Sequence, residues 1–264
     1  TIAHEFQHMV NFSSALERNK DFTDTWIDEG LAEAANHRCY GWDTSRLASY
    51  NDDSGNHIRD GHPLFYWDDT NSLPNYAKSY LFFQYLRIQS AAGWNVYGPI
   101  FTGPYGDYRA VQTAMNADLA LASWGSTSTE RFNKLVLRWY AANLLNLASG
   151  IFGYKGEVSV SHQLYEPDSV SNLKSGGGIV RSMGSSFSSP AANFIYLSVS
   201  SNGATEDFDS EYTDLDYFIA VYNNYNVDNG GNGNSPLPSL SAIDSSYDAC
   251  LLYTSDAADE EDSV

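Results

Sequence analysis

Hydrophobic residues recur at helical spacing over much of the first 150 residues. The apolar positions that mark a first helix, over residues 1–16, are Ile2, Phe6, Met9, Val10 and Phe12. A second helix is predicted over residues 26–35, with Thr23 or Asp24 as the capping residue at its start. Three further helices are predicted, over residues 75–89, 108–116 and 130–147.

Two parts of the chain break this helical pattern. Residues 41–73 are rich in Asp, Asn, Ser, Gly and aromatic residues without a sustained period, which predicts a long ordered loop near an active site. Beyond residue 150 the pattern changes to short β-prone runs separated by turn residues. The runs that predict strands are 157–161, 192–199 and 216–221. We therefore expect an α+β chain, mainly helical over 1–150, with a small all-β domain over 151–245.

Composition narrows the classes of partner. The chain carries 14 basic and 33 acidic residues, a formal charge of −19, which argues against binding to nucleic acid or to anionic membranes. No apolar run is long enough to span a bilayer. Residues 250–264 resemble translated read-through of a sequencing adapter, so the tail over 246–264 is expected to be non-native or disordered. A disulfide between Cys39 and Cys250 is therefore not expected.

The first predicted helix contains the candidate chemistry. Residues 4–8 read His-Glu-Phe-Gln-His, a match to H-E-x-x-H. His4 and His8 are four residues apart, so both imidazoles lie on one face of a helix and can bind the same zinc ion. Glu5, next to His4, can reach a water molecule at that ion and act as general base. The motif predicts a zinc hydrolase.

A tetrahedral catalytic zinc needs one more protein ligand. In metzincins the motif continues with a glycine and a third histidine, but Asn11 and Ser14 occupy those positions here, which excludes that class. The second predicted helix offers two carboxylates, Glu29 and Glu33, four residues apart. Either can supply an oxygen ligand from a neighbouring helix.

The motif followed by Trp26-Ile-Asp-Glu-Gly30 resembles the gluzincin zinc peptidases. The residue patterns of both segments are similar to those of the hyicolysin-type bacterial neutral metalloendopeptidases. The resemblance covers about the first 150 residues. It implies that His4, His8 and Glu29 bind one catalytic Zn²⁺ and that Glu5 is the general base. It also places Glu33 where it orients a ligand histidine.

A further segment, Asn75-Tyr-Ala-Lys-Ser-Tyr-Leu-Phe-Phe-Gln-Tyr-Leu86, is similar to the gluzincin aminopeptidase helix whose first tyrosine stabilises the oxyanion. That residue is Tyr76 here, with Tyr80 as the alternative. Ser79 replaces the glycine that this helix usually has, and both tyrosines could instead be core aromatics.

The resemblance also implies a setting for the enzyme. We expect a zincin-type catalytic lobe in a secreted bacterial endopeptidase, located outside the cell or at its surface, that acts on proteins or peptides. The N-terminal sheet of such lobes is missing here, so we expect a truncated fragment of low stability and activity. Two alternatives stay open: a gluzincin aminopeptidase, and a non-catalytic binding or adhesion protein with a vestigial peptidase lobe.

Other polar residues have simpler interpretations. The remaining histidines are expected to be surface or hydrogen-bonded loop residues; they are His37, His57, His62 and His162. The acidic pairs Asp52-Asp53 and Asp68-Asp69 could contribute to a Ca²⁺ site, but they lack an EF-hand pattern and are better explained as solvated turns.

Overall fold

The computed structural model describes residues 2–52, 64–65 and 67–160, together with two short strands farther along the chain. Its α-helices are α1 (Ile2–Arg18), α2 (Thr25–Tyr40), α3 (Thr44–Asp52), α4 (Leu73–Gln89), α5 (Gly98–Thr102), α6 (Tyr108–Ala117) and α7 (Ser128–Leu145). Short 3₁₀ helices at Gly93–Tyr97 and Leu121–Trp124 connect them. None of the helices in the described residues has the length and hydropathy needed to cross a membrane.

Helix α4 lies at the centre of the hydrophobic core. Most of its residues after Leu73 are buried, on every side of the helix, because α2, α3 and α7 all pack against it. The ring of Phe82 meets that of Trp139 of α7 edge to face, with centroids 5.3 Å apart. Pro74 occupies the first turn, where a missing backbone N–H removes no helical hydrogen bond. The helix predicted over residues 75–89 is confirmed.

Helices α2 and α4 approach closely at one glycine. A Cβ atom placed on Gly30 would lie 2.3 Å from Cδ2 of Phe83, well inside van der Waals contact. The glycine next to Glu29 therefore lets α2 lie against the buried ring of Phe83. This close approach fixes the distance between the helix that carries Glu29 and the helix that carries Tyr76.

Helix α1 packs on α2 with its polar side. His4 and His8 face the acidic residues of α2, and Asn11 and Ala15 are buried. The apolar residues whose spacing predicted this helix are instead exposed: Ile2, Phe6, Met9, Val10 and Phe12. The spacing thus predicted the helix correctly, while the side that packs on α2 is the one that carries the histidines.

The loop predicted over residues 41–73 is wrong in its first part, because α3 occupies residues 44–52. Asp43 starts this helix: its Oδ1 atom accepts hydrogen bonds from the backbone N–H groups of Ser45 and Arg46, at 2.9 and 3.1 Å. Tyr50 then buries its ring in the core. Residues 53–63 and 66 lie outside the described residues.

The strand predicted over residues 157–161 is also wrong for residues 157–160, which form no strand. Val158 and Val160 pack into the helical core instead. The carbonyl groups of Ser159 and Val160 accept hydrogen bonds from the side chains of Asn51 and Asn146, so side chains and not a neighbouring strand satisfy them. The domain boundary at residue 150 stays a prediction, although residues 151–160 pack on the helices.

A second compact unit comprises Asp207–Val264. Within it, strand β1 (Phe218–Ile219) pairs in parallel with strand β2 (Cys250–Leu251). Strand β1 lies within the run 216–221 that predicted a strand. The run 192–199 and most of the predicted all-β domain lie outside the described residues, so that domain stays a prediction.

Cys39 is a free, exposed thiol.

Candidate metal centre

Two imidazoles from α1 form the first part of the centre. His4 and His8 are one helical turn apart, with ring centroids separated by 4.8 Å and ring planes nearly perpendicular. Their Nε2 atoms lie 3.1 Å from each other. Both rings are largely shielded from solvent, with side-chain exposures of 12% and 25%.

Helix α2 brings Glu29 to the same point. Its Oε2 atom lies 3.3 Å from Nε2 of His4 and 3.5 Å from Nε2 of His8. Two ligand atoms at ordinary bond lengths around a tetrahedral zinc ion are separated by about 3.3 Å. The three edges of this triangle therefore match the spacing that one zinc ion requires.

The chemistry of the donor atoms fits a cation as well. Oε2 of Glu29 is buried, and in the described residues only the long approaches of the two histidine nitrogens, at 3.3 and 3.5 Å, offset the cost of burying this carboxylate oxygen. Hydrogen bonds to Glu29 and Glu33 raise the pKa of His4 from 6.5 to about 9, so the surroundings favour positive charge at this point. A divalent cation at the triangle would bind this oxygen more closely than the histidine nitrogens do and would balance its charge.

Glu33 lies behind His4, one turn along α2 from Glu29. Its Oε1 atom is 3.4 Å from Nδ1 of His4 and 2.8 Å from Nη2 of Arg46. Burial would raise the pKa of Glu33, but hydrogen bonds from His4 and Arg46 outweigh it and hold that pKa below its usual value. Glu33 is only 2% exposed, so it is not an ordinary surface glutamate.

Asp28, to which the sequence assigned no role, contacts the other histidine. Its Oδ2 atom lies 2.8 Å from Nδ1 of His8, and its Oδ1 atom accepts a hydrogen bond from the side-chain amide of Asn11. Thr23 in turn donates to Asn11 at 3.3 Å. Asn11 thus orients Asp28. In the sequence, Asn11 served only to exclude the metzincin motif. In the sequence, the only indication that Asp28 belongs to the site was that it is an acidic residue next to Glu29.

The two candidate tyrosines of α4 have different neighbours. Tyr76 has its ring centroid 6.3 Å from that of His4, and its hydroxyl hydrogen-bonds Glu29. Burial and the negative charge of Glu29 raise the pKa of Tyr76 to about 12. Tyr80, one turn later, accepts a hydrogen bond from the backbone of Asp43 at 3.3 Å and contacts Nδ1 of His37 at 3.3 Å. Of these two tyrosines, only Tyr76 lies beside the candidate metal centre.

Glu5 follows His4 in the first turns of α1 and is exposed to solvent. Along α1 it directly follows His4 and lies three residues before His8. An exposed carboxylate at this point of α1 is accessible to water and to a bound ligand.

The other candidates lie apart from this centre. His37 is not a loop residue: it lies in the last turns of α2, buried against Trp42 with ring centroids 4.0 Å apart. Asp68 accepts hydrogen bonds from the backbone and hydroxyl of Thr70, as in a turn. Among the described residues, His4, His8 and Glu29 are the one group of three such side chains placed to bind a metal. The histidines outside the described residues are His57, His62 and His162.

The chain is similar to a protein whose name gives its activity, the neutral metalloprotease ShpI of Staphylococcus hyicus. The two are 37% identical over 119 residues, which cover 44% of this chain. The match spans 27% of the length of that relative. No protein-family model matches the chain. The similarity supports a relationship to metalloproteases.

Proposed function

We propose that this chain carries the catalytic centre of a zinc-dependent metallopeptidase of the gluzincin type, acting as an endopeptidase on proteins or peptides outside the cell. His4, His8 and Glu29 are the zinc ligands. The observation that carries the proposal is the triangle of Nε2, Nε2 and Oε2 atoms, whose edges of 3.1, 3.3 and 3.5 Å suit one tetrahedral zinc. The similarity to a neutral metalloprotease supports the same reaction class.

When bound, zinc acts as a Lewis acid toward the peptide carbonyl and makes water a better nucleophile at neutral pH. Glu5 accepts a proton from the attacking water as the water oxygen bonds to the carbonyl carbon. As the C–N bond breaks, Glu5 passes that proton to the leaving amine nitrogen. Its exposure next to both histidines suits both transfers.

Tyr76 supplies a neutral phenol beside the reacting centre. Because its pKa is raised to about 12, the hydroxyl keeps its proton over the whole neutral range. That proton, which now points to Glu29, can be donated to the negative charge that develops on the carbonyl oxygen. Glu33 and Asp28 hold the Nδ1 sides of His4 and His8, which leaves each Nε2 lone pair for the metal.

The test compares Glu5→Gln with Glu17→Gln, the same substitution at an exposed position near the end of α1. The purified chain should contain one equivalent of zinc and should cleave a peptide blocked at both termini in a chelator-sensitive manner. Glu5→Gln should keep the zinc and the circular dichroism spectrum but lose hydrolysis by at least about 100-fold. Glu17→Gln should behave like the original chain.

Two results would overturn the proposal. One is a chain that binds no zinc from a stoichiometric solution at neutral pH. The other is hydrolysis that persists in Glu5→Gln. Cleavage confined to peptides with a free N-terminal amine would replace the endopeptidase with an aminopeptidase while leaving the zinc chemistry in place.

A further inference from the structure

Helix α3, which the sequence did not predict, delivers an arginine to the metal centre. Arg46 lies in its first turn, next to the capping residue Asp43. The backbone N–H of Asp43 also donates to the hydroxyl of Tyr80 in α4 at 3.3 Å. The start of α3 is therefore anchored to the same helix that carries Tyr76, and the position of Arg46 is set by the fold.

The guanidinium group of Arg46 contacts two parts of the proposed machinery at once. Its Nη2 atom donates to Oε1 of Glu33 at 2.8 Å, the same oxygen that faces Nδ1 of His4. Its Cζ atom lies 4.3 Å from the centroid of the Tyr76 ring, within range of a cation–π contact. Trp67 covers Tyr76 edge to face, with centroids 5.0 Å apart.

The contacts of Arg46 have a physical consequence for both Glu33 and Tyr76. Glu33 is almost fully buried, and a buried carboxylate stays ionised only when a cation or several donors balance its charge. Arg46 supplies that balance, so Glu33 can hold the proton of His4 on Nδ1 and leave Nε2 free. The planar guanidinium simultaneously fixes the ring of Tyr76, which lysine, with a compact ammonium group, would do less well.

We propose that Arg46 is a positioning residue that couples the orientation of His4, through Glu33, to the orientation of Tyr76. It does not touch the reacting atoms itself. This inference rests on the proposed function, because it assigns roles relative to the zinc ligands and the oxyanion donor. It predicts that substitution of Arg46 changes the zinc affinity through Glu33 and the turnover through Tyr76, and that the two effects can be separated.

The test uses Arg46→Met, Arg46→Lys and the control Arg38→Met. Arg38 also lies over an aromatic ring, 5.6 Å from the centroid of Trp94, but has no contact with the metal centre. Zinc dissociation constants, the visible absorption spectrum of the Co²⁺-substituted chain, and kcat and KM are measured for each. Circular dichroism establishes that each variant is folded.

Arg46→Met should raise the zinc Kd about 10-fold, alter the Co²⁺ spectrum and lower kcat by at least about 10-fold, with KM nearly unchanged. Arg46→Lys should recover most of the zinc affinity, since the charge opposite Glu33 returns, but little of kcat. In a Glu33→Gln background, Arg46→Met should no longer change the zinc Kd. Arg38→Met should match the original chain.

The outcomes separate this inference from the proposed function. If the original chain binds zinc and hydrolyses peptides but Arg46→Met behaves like Arg38→Met, the positioning role is wrong and the peptidase proposal stands. Additive effects of Glu33→Gln and Arg46→Met on the zinc Kd would also overturn the route through Glu33. If the original chain binds no zinc, the proposed function fails and this inference fails with it.

Discussion

The Nδ1 atom of His8 lies 2.8 Å from Oδ2 of Asp28, the residue directly before the proposed ligand Glu29. A carboxylate oxygen accepts a hydrogen bond, so Nδ1 of His8 donates to Asp28, and this arrangement leaves Nε2 toward the triangle. Helix α2 thus provides both the proposed ligand Glu29 and the group that orients the proposed ligand His8. The amide of Asn11 holds the second oxygen of Asp28, so the carboxylate cannot turn away.

Replacing Asp28 by alanine should therefore raise the zinc Kd by about 10-fold, because His8 loses both its tautomer and its orientation. Asp28→Asn should retain much of the affinity, since an amide oxygen still accepts from Nδ1. Asp21→Ala, at an exposed acid between α1 and α2, serves as the control. Chelator competition measures the constants, and equal affinities for Asp28→Ala and Asp21→Ala would contradict the role.

Zinc binding should also depend on pH through His4. In the metal-free chain the pKa of His4 is raised to about 9, so the folded protein holds a proton there throughout the neutral range. Zinc must displace that proton, and its apparent affinity should rise by up to about tenfold per pH unit, levelling off near pH 9.

The variant Glu33→Gln provides the check on this pH dependence. Removing one of the two carboxylates that raise the pKa of His4 should move the plateau to lower pH. Titrations with a chelator of known proton affinity between pH 6 and pH 9.5 would measure it. An affinity that does not change between pH 7 and pH 9 would show that His4 is already neutral there.

His37 should make the metal-free chain sensitive to acid. Burial lowers the pKa of His37 to about 4, below the value near 6.5 that applies in the unfolded chain. Between these values the unfolded state takes up a proton that the folded state does not, so stability falls as pH decreases from 6.5 to 4. The loss from this residue should reach at most about 3 kcal/mol.

Urea unfolding of the chelator-treated chain at several pH values would measure this effect. Carboxylates contribute their own acid sensitivity, so the comparison is with His37→Gln, which keeps a polar partner for Tyr80 but cannot be protonated. The free energy of unfolding of this variant should fall less steeply between pH 6.5 and 4. Parallel curves for the two proteins would contradict the assignment.

Gly30→Ala should destabilise the chain even though alanine favours a helix by about 1 kcal/mol relative to glycine. The added methyl group would lie 2.3 Å from the ring of Phe83, which is enclosed on every side and cannot move without strain. Overpacking of this kind costs about 1–3 kcal/mol, so after the gain in helix propensity we expect a net loss of up to about 2 kcal/mol.

A double-mutant cycle with Phe83→Leu tests the cause of that loss. If the clash is responsible, the smaller side chain should relieve it, and Gly30→Ala should cost less in the Phe83→Leu background than alone. Denaturant unfolding gives the free energies of all four proteins. Additive losses would mean that the two positions do not interact, against the close approach of α2 and α4.

Sequence patterns predicted the helices best where many apolar side chains are buried, as in α4. They missed α3 because its nine residues contain few apolar positions, and its start depends on the Asp43 cap and on packing against α4. They predicted a strand at residues 157–160 because valines favour strands, whereas here the valines cover helices.

The residues of the candidate metal centre also divide into those that the sequence predicted and those that it did not. The spacing of His4 and His8 was readable because both lie on one helix, and the resemblance implied Glu29 from the second. The contacts of Asp28 and Arg46 depend on the angle at which α1, α2 and α3 meet, and no local pattern encodes that angle. Side chains that orient a ligand from another helix therefore emerge only in three dimensions.

The last prediction separates Tyr76 from Tyr80, which lies one helical turn later and which the resemblance left as the alternative. Tyr76 hydrogen-bonds Glu29 and lies beside His4. The hydroxyl of Tyr80 instead accepts a hydrogen bond from the backbone N–H of Asp43 and contacts the ring of His37. Removing the hydroxyl of Tyr76 should take away one donor to the developing oxyanion, which typically lowers kcat by about 100-fold or more.

Tyr76→Phe should therefore keep one equivalent of zinc and an unchanged melting temperature while losing turnover. Tyr80→Phe should do the reverse: kcat should stay within about threefold, and the chain should lose about 1 kcal/mol of stability because the Asp43 N–H and His37 lose a buried partner. Steady-state kinetics and thermal unfolding measured side by side distinguish them. Loss of turnover in Tyr80→Phe with normal turnover in Tyr76→Phe would transfer the oxyanion role to Tyr80, and normal turnover in both would remove it from α4.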